Sequence, residues 1–443
     1  MKLWSEKNNT ENWVYQHTTS DRAFDEKLAP FDILGSIAHL TMLRKCNFVR
    51  AKEFEVMKGE LIKLYNESLK EDFNIPQDVE DIHSYVELCL TNRLGKVGKK
   101  LHTARSRNDQ VLLDIKLYVR NEIENIVEQM DGLFHKLMEL SRKYEYTFMP
   151  GYTHGQVAMP SSFGLWFSAY AEQMAEDLIE FHSAFQLANM NPLGSGSGYG
   201  STFDIDREIT TSLLGFDSMH FNVVGAQLSR GKTEILTANA LAFLATTLSR
   251  FANDCCLFLS QNFGFISLSE DVTTGSSIMP HKKNPDVFEL LRADFNRLKA
   301  LPNEIFMYTT NLTTGYSRDF QLTKHSLFPA IDNFKASLLT FTKALDHIQV
   351  NEQLIEDKRY REVFSVNKIK HYTEEGMPFR EAYHKVSSEI NEGTYSPDYK
   401  MSSNTIGNIG NMCFDGIENK YEHYRKKFSF RKISKSFQEL REI

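Results

Sequence analysis

Apolar residues recur at helical spacing along most of this chain. From Leu112 the stripe runs through Ile115, Val119, Ile123, Ile126, Met130, Leu133 and Leu137, in steps of three and four throughout. That spacing predicts one helix of upwards of ~30 residues, roughly 45–50 Å long at about 1.5 Å per residue. Leu165, Ala169, Leu178, Phe181 and Phe185 predict a second long helix, and Leu236, Leu241, Leu244, Leu248, Phe251, Cys255 and Phe258 a third. Phe288, Leu291, Phe295 and Leu298 mark a fourth; Leu339, Phe341, Ala344, Leu345 and Ile348 mark a fifth. Sustained period-two alternation bounded by turns is absent, so strands are not expected. The eleven prolines fall at breaks, with none between Pro76 and Pro150 or between Pro192 and Pro280.

The expected fold class is therefore all-α, built on a bundle of long helices. Gly95, Gly98 and the basic residues Lys96, Lys99 and Lys100 separate a first helical segment from the long helix. Beyond about Lys358 the periodic segments become shorter and more polar. Three domains are expected: residues 1–104, a central bundle over 105–357, and a small helical C-terminal domain over 358–443. The basic tail from Arg425 to Lys435 reads as a solvated helix face. Long rods with wide apolar faces also pack against copies of themselves, so a homo-oligomer is expected.

At 443 residues the chain is long enough for a large core, and its 41% hydrophobic and 25% charged residues suit a globular protein. A formal net charge of −7 argues against a nucleic-acid partner. No apolar run approaches the roughly 20 residues of a membrane helix, so no membrane partner is expected. The N-terminal Met-Lys-Leu-Trp-Ser-Glu lacks the apolar core of a signal peptide. The five cysteines (Cys46, Cys89, Cys255, Cys256, Cys413) are scattered and form no C-x-x-C pair. A disulfide framework or zinc site is not expected, and a reducing, cytoplasmic setting fits.

Chemistry concentrates in a few segments. Gly275-Ser-Ser-Ile-Met-Pro-His-Lys-Lys-Asn-Pro-Asp-Val-Phe-Glu-Leu290 joins hydroxyls, two lysines and a helix start, with Asn284 as expected N-cap, Pro285 at the first helical position and Glu289 one turn in. Cations beside a helix N-terminus favour an anionic ligand. His102-Thr-Ala-Arg-Ser-Arg-Asn-Asp-Gln-Val111 places Arg105, Arg107 and Asn108 at the head of the longest helix, where fork-shaped donors match carboxylates. Gly151-Tyr-Thr-His-Gly-Gln156 sets a hydroxyl beside an imidazole on a tight loop. The spacing of Tyr316, Gln321 and Lys324 alone reads as surface. The glycine-rich Asn191–Gly200 run lacks both phosphate-loop patterns, so nucleotide binding is not supported.

Gly275–Asp286 resembles the signature of the fumarase/aspartase superfamily, and Ala104-Arg-Ser-Arg-Asn-Asp-Gln-Val111 resembles its argininosuccinate lyase branch. Leu3-Trp4, Gly35–His39, the Gly151–His154 loop, the glycine-rich run and Tyr316…Gln321…Lys324 follow in that family's order, so the resemblance spans nearly the whole chain. It implies an eliminase that cleaves argininosuccinate to arginine and fumarate, with no metal and no organic cofactor. It also implies a homotetramer with a 20-helix core, each active site assembled from three subunits. By position in the motifs, Ser276 is the general base. Lys282, with Asn284 beside it, stabilises the dianion, and His154, paired with Glu289, is the general acid. Arg107, Asn108, Thr153, Tyr316, Gln321, Lys324 and Arg230 would bind substrate. Near the N-terminus Asp21 stands where many members have a substrate-binding serine; either Ser20 or Asp21 fills that role. The alternatives are another eliminase of the superfamily, such as adenylosuccinate lyase or aspartase, and a non-catalytic homologue of the crystallin type.

Overall fold

The computed structural model describes residues 12–19 and 22–442; Leu3, Trp4, Ser20 and Asp21 lie outside the described residues. After a short α1 (Asn12–Thr18), helices α2 (Arg22–Lys45), α3 (Ala51–Ser68) and α4 (Ile82–Leu94) lead to α5 (Arg107–Lys143), the predicted long helix at 37 residues. Its stripe from Leu112 to Leu137 is entirely buried. A two-stranded hairpin, β1 (Phe148–Thr153) and β2 (Gln156–Ser162), turns the chain back into α6 (Phe163–Ala188). The hairpin was not expected from the sequence, because Pro150, Gly151 and Pro160 interrupt any strand pattern.

The next segment holds a two-residue parallel pair, β3 (Met190–Asn191) with β4 (Ser218–Met219), and the short helices α7 (Arg207–Leu213) and α8 (Val223–Leu228). Then come α9 (Lys232–Phe258), strands β5 (Ile266–Leu268), β6 (Thr274–Gly275) and β7 (Lys283–Asn284), and helices α10 (Asp286–Leu298), α11 (Leu301–Tyr308) and α12 (Leu322–Leu345). Strand β8 (Ile348–Val350) pairs with β5, so Ile348 belongs to a strand rather than to the fifth helix. The remainder is α13 (Ser365–Glu374), α14 (Phe379–Asn391), α15 (Phe414–Arg425) and α16 (Phe430–Glu442).

Helices α5, α6, α9, α10 and α12 pack as the predicted bundle, with α2 laid along α5. One apolar core runs from Leu28 on α2 to Leu440 on α16, while Ile369, Ala382, Val386 and Tyr395 form a second, small core around α13 and α14. Three further sequence expectations need correction. Pro30 and Pro329 lie inside α2 and α12 rather than at breaks; surrounding packing offsets the lost backbone hydrogen bond. Helix α10 begins at Asp286 with Pro285 as its cap, and Asn284 instead pairs with Thr274 in the β6–β7 ladder. One segment, Val223–Phe258, does reach membrane-crossing length and hydropathy, yet 61% of its apolar window is buried inside the protein. It is a core helix.

The junction of α5 and α6 is tight. A Cβ on Gly164 would lie 2.5 Å from the Ser141 carbonyl and 2.6 Å from Cα of Glu145. The Ser141 hydroxyl donates to the Gly164 carbonyl at 2.6 Å. Gly164→Ala should therefore cost about 1–3 kcal/mol, the usual penalty of overpacking. An unchanged urea-unfolding midpoint would show that this helix junction yields freely.

Candidate active site

The head of α5 is built first by local capping. Ser106 accepts from the Asn108 amide, and the Asp109 carboxylate accepts from the Ser106 amide at 2.9 Å, a reciprocal box that fixes the first turn. The other oxygen of Asp109, fully buried, accepts from the amides of Gly194 and Gly196, both at 2.9 Å. Gly196 has φ +59°, and a Cβ there would sit 2.6 Å from the Gly200 carbonyl, so glycine is required. The glycine-rich run is thus pinned to the helix head, with Asn108 reaching the Ser197 carbonyl at 3.4 Å. Burial lifts the Asp109 carboxyl to about 6 against these donors, which still leaves it ionised at neutral pH.

Arg107 and Asn108 then face a cavity of about 130 Å³. Its walls come from distant segments: Asp25 of α2, Glu80, Asp81 and His83 around the start of α4, Arg230 ahead of α9, and Tyr316, Arg318, Gln321 and Lys324. Lys324 and Asp25 form a buried pair at 2.7 Å. Arg107 lies 3.1 Å from Glu80 and 3.3 Å from Asp81, and donates to Ser84 at 2.5 Å. Despite burial, which pushes it up, His83 and Arg107 hold the Asp81 carboxyl below its usual range. Arg230 is 4% exposed, stacked 5.7 Å from the Tyr316 ring and 5.2 Å from Phe320, with its Nη1 lacking a hydrogen-bond partner. Such a guanidinium is a ready donor for a carboxylate that enters the cavity. Gln321 and Arg318 both donate to the Thr18 carbonyl, tying α1 to this wall.

Six of the candidate residues, Arg107, Asn108, Arg230, Tyr316, Gln321 and Lys324, therefore converge, correcting the surface reading of the last three. The sequence reading missed Asp25, Glu80, Asp81, His83 and Arg318. Its one available signal was Glu80-Asp81-Ile82-His83, an acidic N-cap ahead of a helix.

The remaining candidates stand elsewhere on this chain. Thr153 and His154 are exposed at the hairpin tip, where His154 (φ 54°) and Gly155 (φ 71°) make the doubly left-handed two-residue turn that suits twisted strands. Lys282 and Glu289 are exposed; Ser276, half-buried, accepts from the Met279 amide at 3.1 Å. Asn284 donates to Thr274 at 3.4 Å, and Lys283 pairs with Glu270 at 2.9 Å. Among the described residues no hydrogen bond or ion pair joins His154 to Glu289 within one chain.

A family described as lyase matches residues 5–298. The argininosuccinate lyase of Phocaeicola vulgatus is 49% identical over 430 residues, covering 97% of this chain and 96% of that protein. Among solved structures, EDDS lyase in complex with formate superposes with a TM-score of 0.78 at 19% identity, over 96% of this chain and 94% of that one. A class II fumarase from Schistosoma mansoni gives 0.68 at 15%, over 91% of each chain.

Asp109→Asn tests the anchor of the helix head. An amide presents only one acceptor and sets an N–H against backbone N–H groups, so stability should fall by about 1–3 kcal/mol. The 194–200 run should also become a site of limited proteolysis; resistance equal to the parent would show that the loop holds without Asp109.

Proposed function

The chain belongs to this lyase family, on its argininosuccinate lyase branch, and we propose that it cleaves argininosuccinate to L-arginine and fumarate. A base removes a proton from the carbon next to a carboxylate, the C–N bond breaks as the C=C forms, and the departing guanidinium nitrogen takes a proton. The near-full-length identity to argininosuccinate lyase carries this reading. The cavity supports it chemically, because Arg107, Arg230 and Lys324 suit the carboxylates while Asp25, Glu80 and Asp81 suit the cationic end.

Ser276 is the base, helped by the positive charge of Lys282; a hydroxyl needs such stabilisation of its alkoxide. Lys282 and Asn284 hold the dianion that forms, the term that dominates such eliminations. His154, oriented by Glu289, protonates the leaving nitrogen, and Thr153 binds a carboxylate. None of these residues lines the single-chain cavity, so the site is completed by neighbouring copies in a homotetramer. Exposed apolar side chains along the bundle support that assembly: Phe243 on α9, Leu290 on α10, Phe306 and Met307 on α11 and Leu339 on α12. The free cysteines suit a cytoplasmic enzyme.

The direct test is ultraviolet detection of fumarate released from argininosuccinate. Ser276→Ala should lower turnover by about 10²-fold or more with substrate binding largely kept, the scale of a lost proton-transfer group. Near-normal turnover would remove Ser276 from that role. His154→Asn should cost a similar factor. Mixing inactive Ser276→Ala subunits with inactive Lys324→Met subunits should restore part of the rate after subunit exchange; no recovery counts against shared sites.

A further inference from the structure

Beneath the cavity, α2, α4 and α5 bury two carboxylates and one imidazole together: Asp32 at 2% exposure, Asp114 at 1% and His83 at 8%. His83 Nδ1 donates to Asp32 Oδ1 at 2.8 Å and lies 3.7 Å from Asp114 Oδ2. These three residues bring ligand atoms within 4.8 Å of one another, as a cation site would. The 2.8 Å contact, however, is a direct hydrogen bond with a proton on its line, which a bound cation would exclude.

The two nitrogens of an imidazole point away from each other. With Nδ1 turned back toward α2 and α5, Nε2 is the edge left to face the cavity that His83 lines. Nε2 has no partner among the described residues. We propose that His83 is a substrate-carboxylate ligand, cradled from behind by Asp32 and Asp114 and presenting Nε2–H to the cavity as a charged donor. This rests on the lyase reading above and adds a binding group to the same site.

Electrostatics agree with the geometry. Burial alone would strip the ring of its proton, but Asp32, Asp114 and Asp81 raise His83 to about 9. Asp114 is pushed well above the usual carboxyl range by its own burial and by Asp32, and both its oxygens lack hydrogen bonds. Asp25 of α2 with its partner Lys324, Arg107 beside Asp81, and Arg105 and His102 ahead of α5 are further charged or titratable groups that face this cluster. The imidazolium therefore persists through neutral pH and is lost only as pH rises through about 9. A ring kept only to neutralise Asp32 would have no reason to form a cavity wall beside Arg107 and Lys324.

Steady-state kinetics on the assembled enzyme decide the matter. His83→Asn should raise KM for argininosuccinate about tenfold or more while kcat changes less, as expected for a lost charged hydrogen bond. Asp32→Asn keeps the ring and its hydrogen-bond acceptor but removes the charge that holds the proton. Its KM should climb between about pH 7 and 8.5, where the parent enzyme stays flat. An unchanged KM in a folded His83→Asn, or parallel KM–pH curves for Asp32→Asn and parent, overturns the proposal; if His83→Asn does not fold, the Asp32→Asn comparison decides. A parent chain that releases no fumarate would overturn the assigned reaction instead. Calorimetric binding of argininosuccinate in the Ser276→Ala background, about tenfold weaker when His83→Asn is added or equal, then supports or overturns the His83 role by itself.

Discussion

Buried negative charge organises this molecule. Asp25 and Asp32 on α2, and Asp109 and Asp114 on α5, are all sealed between helices. A carboxylate removed from water is costly unless it is paired or hydrogen-bonded. Each ionised one has recruited its partner from a distant stretch of chain. Lys324 comes to Asp25 from the start of α12, His83 to Asp32 from α4, and the Gly194 and Gly196 amides to Asp109 from the glycine-rich run. Asp114, without a hydrogen bond, is held toward its neutral form. The same contacts that offset these charges draw the cavity-lining segments together, so folding and cavity assembly share one cause.

Much of the fold could be read from the 3.6-residue spacing, because a helix that buries one face writes that face into its sequence. The stripe from Leu112 to Leu137 and the outlines of α6, α9 and α10 came through in this way. Short strands leave no such record. The β1–β2 hairpin is held by backbone pairing across two prolines, and Ile348 continued the helical rhythm although its chain had turned into β8. Pro30 and Pro329 show the converse, helices sustained by packing where local preference would break them.

For the site, legibility followed sequence distance. Arg107 and Asn108 declared themselves through a cap motif only a few residues long. Asp25 carried no local signal at all, since its meaning depends on Lys324, 299 residues away. Spacing alone made Tyr316, Gln321 and Lys324 look like surface; only the family resemblance drew them into the site, and tertiary structure sets them in the wall with Arg230 and Thr18. The left-handed backbone at His154 was likewise hidden, because a histidine at positive φ becomes favourable only when a two-residue hairpin turn requires it.

The pre-paired state of the cavity bears on which ligands can stay there. Arg107 already holds Glu80 and Asp81, and Lys324 already holds Asp25. A purely anionic ligand that captured those cations would weaken the pairs that Arg107 makes with Glu80 and Asp81 and that Lys324 makes with Asp25, leaving Glu80 with Arg318 at 3.5 Å. Breaking one half of a buried pair is far more damaging than replacing both halves. A ligand with carboxylates at one end and a cationic group at the other re-pairs both sets at once. Argininosuccinate has that distribution of charge, whereas a simple dicarboxylic acid does not. On the proposed assignment of this cavity, the acids in the wall discriminate by penalty and the cations by attraction, so selectivity arises from the exchange rather than from either set alone.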